Sequence, residues 1–247
     1  MDEREYSLFE HLSELRDRIV RAGIGVFIIA LAAFAVSEEL LELLKVPVVT
    51  AAEQLGMGGA KFVVIAPAEY FIAQLKVAFV AGLFLSSPWS LYQIWMFTAP
   101  GLHKHEQKWV VAFVGAGSFF FISGALFAYQ FVFPPMFKFF LEATRDADIE
   151  MTLSVAEHFS FSLKLLIAFG VVFQTPVIVF VLVMAGVVEP DDLAKNRAYV
   201  IAAGFIIGAM LTPPDVLSQT MLALPLVILY EGGLWASRLV MYFRKKG

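Results

Sequence analysis

The sequence predicts an all-α polytopic membrane protein with six transmembrane helices and both termini on the cytoplasmic side. Of its 247 residues, 60% are hydrophobic and only 16% are charged, whereas a soluble domain carries about 25% charged residues. The mean hydropathy is +0.77. Apolar runs recur along the chain, and Lys and Arg cluster between alternate runs. These observations exclude an ordinary soluble domain.

The composition also narrows the possible partners and cofactors. The chain has no Cys, which excludes disulfides and thiolate metal sites. Its net charge of −4 argues against a nucleic-acid partner. The opening "MDEREYSLFEH" lacks the basic start and apolar core of a cleaved leader, so we expect the spans themselves to direct membrane insertion.

Uncharged apolar runs mark the spans. Their approximate predicted bounds are 19–37, 72–97, 109–133, 159–186, 198–212 and 216–236. An even number of spans places both termini on one side of the membrane. We find no internal repeat and no low-complexity tract, so a single membrane domain is predicted to cover residues 1–247.

The distribution of basic residues orients the spans, because cytoplasmic loops carry an excess of Lys and Arg. The side of the termini has twelve: Arg4, Arg16, Arg18, Arg21, Lys104, Lys108, Lys195, Arg197, Arg238, Arg244, Lys245 and Lys246. The opposite side has four: Lys45, Lys61, Lys138 and Arg145. Both termini are therefore predicted to be cytoplasmic.

An amphipathic helix is predicted ahead of the first span, at the cytoplasmic interface. Its apolar stripe recurs at helical spacing and consists of Leu8, Leu12, Leu15 and Ile19. Ser7 and Glu10 form a capping box. Glu14–Arg18 and Asp17–Arg21 are i,i+4 pairs, which by themselves would indicate only a solvated helix face.

Prolines are predicted to end two elements on the outer side. In the first outer connection, "SEELLELLKVP" is typical of a short amphipathic helix that ends at Pro47. Pro134 and Pro135 are predicted to end the third span and begin the second outer connection. The inner loops, "GLHKHEQK" and "VEPDDLAKNR", are shorter.

The last two spans are predicted to be short. The run from Tyr199 to Leu211 would extend about 20 Å, against a hydrocarbon thickness of about 30 Å. The run from Val216 to Tyr230 is interrupted by Gln219 and Pro225. Such helices either thin the bilayer, bind a partner or form a hairpin buried in a larger bundle. Six spans are too few to bury it, which favours thinning or a partner.

Enzymatic activity is not expected. The sequence contains no H-E-x-x-H or G-x-S-x-G motif, and its four His are scattered at positions 11, 103, 105 and 158. His103 and His105 lie beside Glu106 without a further ligand nearby, so no metal and no cofactor are predicted.

Two non-enzymatic functions remain. A secondary transporter of a small solute would need polar groups at membrane depth, and Gln174 is such a group. Its neutral amide cannot carry a proton, and it could instead satisfy backbone groups displaced by Pro176. A scaffold that recognises other membrane segments would show a polar cytoplasmic surface and incompletely shielded helices, and the sequence predicts both.

Several motifs resemble, in order, those of one family. They are "EHLSELRDR", Pro47, "YQIWMFTAPGLHKHE", "GALFAYQFVFP", "AFGVVFQTPV" and "LTPPDVLSQTMLALPL". The chain is similar over nearly its whole length to TatC, the six-span receptor subunit of the twin-arginine protein translocase. The resemblance implies a multi-pass protein of the bacterial cytoplasmic (inner) membrane. It also implies export of folded proteins, driven by the proton-motive force.

The resemblance implies that signal peptides bearing a twin-arginine motif bind at the cytoplasmic face. Glu14 and Glu106 correspond to the family's peptide-binding acids, and carboxylates suit arginine because they accept bidentate hydrogen bonds. The residues implied in this site are Glu14, Leu15, Arg16, Phe97, Lys104 and Glu106.

The resemblance further implies assembly with single-span TatA/TatB-type proteins, with other copies of the chain and with the lipid bilayer. The residues implied to bind partner helices are Tyr129, Met210, Thr212, Pro213, Asp215 and Gln219. Pro47 is implied to be structural. The family commonly has Glu at the position of Gln174, and this departure removes an intramembrane carboxylate.

Overall fold

The computed structural model describes residues 8–57, 60–98, 110–146, 152–212 and 215–246. In its first half lie α1 (Leu8–Phe34), α2 (Ser37–Gln54), β1 (Lys61–Val63), α3 (Glu69–Leu85), α4 (Ser87–Thr98) and α5 (Val110–Phe127). A π-helical turn (Ala128–Val132) leads into α6 (Phe133–Asp146) and β2 (Thr152–Ser154). The remaining elements are α7 (Val155–Val172), α8 (Thr175–Met184), α9 (Pro190–Lys195), α10 (Arg197–Leu211) and α11 (Val216–Lys246).

Several of these helices are long and apolar enough to cross a membrane. By length and composition they are Val110–Arg145, Val155–Met184 and Val216–Phe243. Two bent pairs also qualify if each is one span: Leu12–Phe34 with Ser37–Gln54, bent by 83°, and Glu69–Leu85 with Ser87–Phe97, bent by 58°. A shorter apolar helix is Arg197–Leu211. The polytopic, helical fold class is confirmed, while the count of six and the orientation stay predictions.

The helices pack into one bundle with its main core towards the end where α2 and α6 lie. α3 packs against both α1 and α7, and α5 lies between α4 and α7. Fully buried side chains of this core include Leu41, Phe133, Met136, Phe159 and Phe169. Burial of each such side chain contributes about 1.5–3 kcal/mol to folding.

A short parallel pairing, which the all-α prediction did not include, joins the two connections that were predicted to lie on the outer side. Lys61 pairs with Thr152 and Val63 with Ser154. β2 leads directly into α7, and β1 precedes α3 by only a few residues. The pairing therefore sets the beginnings of α3 and α7 side by side at the same end of the bundle.

The amphipathic N-terminal stretch is continuous with the first apolar helix. α1 runs without a break from Leu8 to Phe34, where the sequence predicted a separate helix ahead of the span. No Pro or helix-ending Gly motif separates the charged part from the apolar part, so the backbone hydrogen bonds continue through both.

Pro47 does not end α2, which corrects the prediction. α2 continues to Gln54 with Pro47 buried inside it. A proline has no N–H and therefore leaves the carbonyl four residues earlier without its helical partner, here that of Leu43. The Tyr129 hydroxyl donates to this carbonyl at 2.9 Å. A side chain from the π-helical turn thus supplies the hydrogen bond that Pro47 removes.

Because the Tyr129 hydroxyl replaces the N–H that Pro47 lacks, substitutions at these two positions should have coupled effects on the free energy of unfolding. Tyr129→Phe should lower the free energy of unfolding by about 1 kcal/mol. In a Pro47→Ala background the restored N–H can bond Leu43, so the same change should cost less. Reversible unfolding in detergent measures all four proteins. An equal cost of Tyr129→Phe in both backgrounds would show that the hydroxyl does not serve the proline.

Pro134 and Pro135 also lie inside a helix rather than ending one. The π-helical turn precedes them, and its wider spacing lets the N–H of Phe133 bond the carbonyl of Ala128. Such local π geometry accommodates prolines in apolar helices. The continuous helical stretch therefore reaches Arg145, beyond the predicted end of the third span.

The two final helices differ in length, which corrects half of a prediction. α10 has 15 residues and is short as expected. α11 has 31 residues, about 46 Å, and its polar second half continues the helix. Arg197 forms two hydrogen bonds with Glu231 across this pair, the longer at 2.9 Å.

The second half of α11 also contacts α9, beginning at Tyr230 in the middle of the helix. The Tyr230 hydroxyl donates to the Leu193 carbonyl at 2.7 Å, and Arg238 pairs with Asp191 at 2.9 Å. Within α9, the hydrogen bond to Asp192 raises the pKa of Lys195. These polar contacts with α9 stabilise the second half of α11, which extends beyond the last apolar run of the sequence.

Candidate functional site

The charged part of α1 lies beside α4 and carries an arginine between two acceptors. Arg18 Nη2 donates to Glu14 Oε1 at 3.2 Å, and Arg18 Nη1 donates to Gln93 Oε1 on α4 at 3.3 Å. The side chains of Arg18 and Glu14 are only 18% and 27% exposed. This partial burial makes the pair stronger than a fully solvated i,i+4 pair.

A second contact between α1 and α4 lies about one helical turn beyond Arg18 on α1. Trp89 Nε1 donates to the carbonyl of Arg21 at 2.9 Å. The indole sits over Gly25, where an added Cβ would lie 2.8 Å from Trp89 Nε1. The close approach therefore favours glycine at this position.

The cluster borders a polar concavity of about 350 Å³ at the surface of α1. Its lining consists of Ser13, Glu14, Asp17, Arg18 and Arg21. Two acids and two bases line it together, so its carboxylates are available to a cationic group that competes with Arg18 for them.

The remaining residues predicted for this site are only partly placed by the structure. Leu15 is half-buried, while Arg16 is exposed and pairs with Asp17 at 3.0 Å. Phe97 is half-buried and follows Gln93 by one helical turn, on the same face of α4. Lys104 and Glu106 lie outside the described residues, in the stretch that joins α4 to α5.

Two residues of this cluster were missed by sequence reasoning. Arg18 was interpreted only as half of a solvated i,i+4 pair, and Gln93 was not singled out. The available signal was Gln93 itself, the one amide side chain in the uncharged run 77–102. A polar side chain in such a run usually has a specific partner.

The second predicted set clusters where α10 meets α11. Asp215 caps α11, because its Oδ1 accepts the N–H of Ser218 at 2.7 Å. Thr212 is buried, and its hydroxyl donates to the Gly208 carbonyl at 2.9 Å. Gln219 is half-buried and packs against Gly208. Pro213 lies outside the described residues.

The same tip exposes apolar surface and holds buried polar atoms without a partner. The Met210 side chain is 81% exposed, and the adjoining face of α10 also exposes Phe205 and Ile206. Among the described residues, Asp215 Oδ2 and Ser218 Oγ are buried without a hydrogen bond. Tyr129, by contrast, has its hydroxyl engaged with Leu43 of α2.

The side chain of Gln174, which immediately precedes α8, forms a hydrogen bond with α5 and not with the backbone of its own helix. Its Nε2 donates to the Gly117 carbonyl at 2.8 Å. The carbonyl that Pro176 leaves open belongs to Val172, and it accepts the Thr175 hydroxyl at 2.6 Å. Thr175, and not Gln174, therefore supplies the hydrogen bond to the carbonyl that Pro176 leaves without a helical partner.

In the stretches covered by the structure, no three His, Cys, Asp or Glu side chains are grouped so that they could hold a metal ion.

Comparison with known proteins shows extensive similarity. A family described as "Sec-independent protein translocase protein (TatC)" matches residues 10–225. The TatC of Halothiobacillus neapolitanus is 42% identical over 92% of this chain, and the aligned region spans 61% of that protein's length. The TatC of Escherichia coli K12 is 38% identical over 94% of this chain and 88% of its own length.

A solved structure shares the fold. It is described as a crystal structure of the twin-arginine translocase receptor TatC. It superposes with a TM-score of 0.81 at 34% sequence identity, and the match covers 94% of this chain and all of the solved one.

Proposed function

This chain belongs to the TatC family of Sec-independent protein translocase proteins, and from that membership we propose that it is the signal-peptide receptor of a twin-arginine translocase. It receives peptides with two consecutive arginines at the cytoplasmic face of a bacterial inner membrane. It has no catalytic step of its own, and export of the folded cargo draws on the proton-motive force. The comparisons do not support a small-solute transporter.

The main support for the proposal is the pair of acceptors that bind the Arg18 guanidinium. A guanidinium already bridges the Glu14 carboxylate and the Gln93 amide oxygen in a partly buried position. The planar fork of arginine suits two acceptors at once. An arginine of an incoming peptide can therefore take the same acceptors, because it presents the same donors.

A second arginine of the peptide requires a second carboxylate. We assign this role to Glu106, whose stretch joins the end of α4 to α5. Phe97 and Leu15 supply half-buried apolar surface for the hydrophobic side chains that follow the arginines. Arg16 and Lys104 offset the negative charge of the two acids while the site is empty.

Peptide binding to the purified protein tests the proposal. A fluorescent peptide with two arginines should bind, and the same peptide with two lysines should bind roughly tenfold more weakly, because an ammonium cannot make the bidentate contact. Fluorescence anisotropy in detergent measures both. Equal affinity for the two peptides would indicate a general attraction to positive charge and would refute recognition of arginine.

We further propose that α10 and its turn bind single-span TatA/TatB-type helices. The exposed face around Met210 provides the apolar contact. The half-buried amide of Gln219 and the buried Asp215 Oδ2 offer hydrogen bonds to a polar side chain of the partner. Such bonds between membrane helices contribute about 0.6–2 kcal/mol each.

Photo-crosslinking tests this surface. A photoreactive residue at position 210 should capture a single-span protein in membranes that contain the whole system. A matched control at Phe131, which is 64% exposed on another helix, should capture mainly lipid. Capture of lipid at both positions would favour simple thinning of the bilayer by the short helix.

A further inference from the structure

An apolar groove of about 700 Å³ lies across α3, between α1 and α7. α3 packs against both neighbours and forms the floor with buried residues such as Ala78 and Val80. The walls are large apolar side chains, among them Phe27, Leu31, Phe34, Phe71, Phe79 and Ile167. The groove belongs to neither the Glu14 cluster nor the α10–α11 tip.

Two lysines line this otherwise apolar groove. Lys76 of α3 and Lys164 of α7 are both exposed, and Lys76 Nζ donates to Ser160 Oγ at 2.9 Å. Within the described part of the chain, no carboxylate pairs with either lysine. Other lysines pair with acids: Lys45 with Glu42, Lys138 with Glu142 and Lys195 with Asp192.

The two lysines lie near each other, because Lys76 Nζ donates to Ser160 Oγ, one helical turn before Lys164 on α7. The β1–β2 pairing sets the beginnings of α3 and α7 at the same end. Lys76 follows the start of α3 by about 10 Å, and Lys164 follows the start of α7 by about 14 Å. Helical side chains lean towards the N-terminus of their helix, so both lysine stems extend towards that end.

We propose that this groove binds a phospholipid with an anionic headgroup, its acyl chains against α1, α3 and α7 and its phosphate against Lys76 and Lys164. Unpaired cations at membrane depth are costly and call for a counter-charge, and basic pockets between membrane helices bind anionic headgroups. The apolar walls match acyl chains.

The two lysines favour a phospholipid over a protein helix as the occupant. A phosphate supplies a counter-charge to both ammonium groups, whereas an apolar helix supplies none. Acyl chains are narrower than a helix and can follow the groove over its length.

Native mass spectrometry of the purified protein tests the proposal. The probes are phosphatidylglycerol and phosphatidylcholine with identical acyl chains. The protein should retain one phosphatidylglycerol in preference to phosphatidylcholine. Binding should weaken roughly fivefold for each of Lys76→Gln and Lys164→Gln. The matched control Lys138→Gln, whose lysine pairs with Glu142 outside the groove, should bind as the unmodified protein does.

A second variant separates the groove from a general effect of charge or of folding. Leu75→Trp keeps both lysines and narrows the groove, so it should also reduce phosphatidylglycerol retention, with an unchanged circular dichroism spectrum as the check on folding. Equal retention of the two lipids, or unchanged retention in the double lysine variant, would overturn the proposal. Capture of a protein rather than lipid by a photoreactive residue at Phe79 would assign the groove to a partner helix instead.

Discussion

Replacing Glu14 with Gln should weaken binding of a twin-arginine peptide roughly tenfold to hundredfold while the helices stay folded. A hydrogen bond to a charged group contributes about 1.5–3 kcal/mol, which corresponds to this range of affinity. The substitution keeps the size of the side chain and removes only its charge. In the free protein, Arg18 would retain Gln93 as an acceptor, so the link between α1 and α4 should survive.

Asp17→Asn is the matched control for this prediction. Asp17 lies on the same helix, lines the same concavity and is about half exposed in its pair with Arg16. It should change peptide affinity by less than about threefold, because exposed pairs contribute little. Isothermal titration in detergent measures both variants, and equal losses would mean that only the net charge of the helix matters.

The largest effect on folding should come from Gly124→Ala. A Cβ added at Gly124 would lie 2.8 Å from the carbonyl carbon of Phe169 on α7 and 2.9 Å from Phe173 Cβ. The nearest atoms are backbone and cannot rotate away, so α5 and α7 must separate. Overpacking of this kind costs about 1–3 kcal/mol, and the bulkier Gly124→Val should prevent accumulation of folded protein.

Gly115→Ala on the same helix provides the comparison. A Cβ there meets no atom within 4 Å, so the substitution should leave stability unchanged or raise it by about 0.5–1 kcal/mol, the usual gain of alanine over glycine in a helix. Thermal unfolding in detergent compares the two variants. Similar stability of Gly124→Ala and Gly115→Ala would contradict the close α5–α7 contact.

The fold class followed from the sequence because hydrophobic periodicity is local information. The apolar runs lie in helices of the structure, and short α10 was expected from its length alone. The prolines were misinterpreted for a physical reason. Whether Pro47 ends a helix depends on a distant donor, and Tyr129 lies 82 positions away along the chain.

Only part of the candidate site could be predicted, because sequence patterns report local spacing and not contacts between distant residues. Glu14 was implied by family resemblance, and its spacing to Arg18 was visible in the sequence. The bridge from Arg18 to Gln93 joins residues 75 positions apart, and no periodicity indicates such a contact. The unpaired lysines of the groove likewise became evident only when α3 and α7 were placed side by side.

The central claim is that Glu14 and Glu106 hold the two arginines of a signal peptide. A double-mutant cycle tests it most directly, combining Glu14→Gln and Glu106→Gln with removal of each peptide arginine and measuring all affinities by titration. We predict a coupling energy of about 1 kcal/mol or more between each acid and one arginine. Coupling energies near zero for all four pairs would contradict the account and leave the charged part of α1 as a solvated helix face.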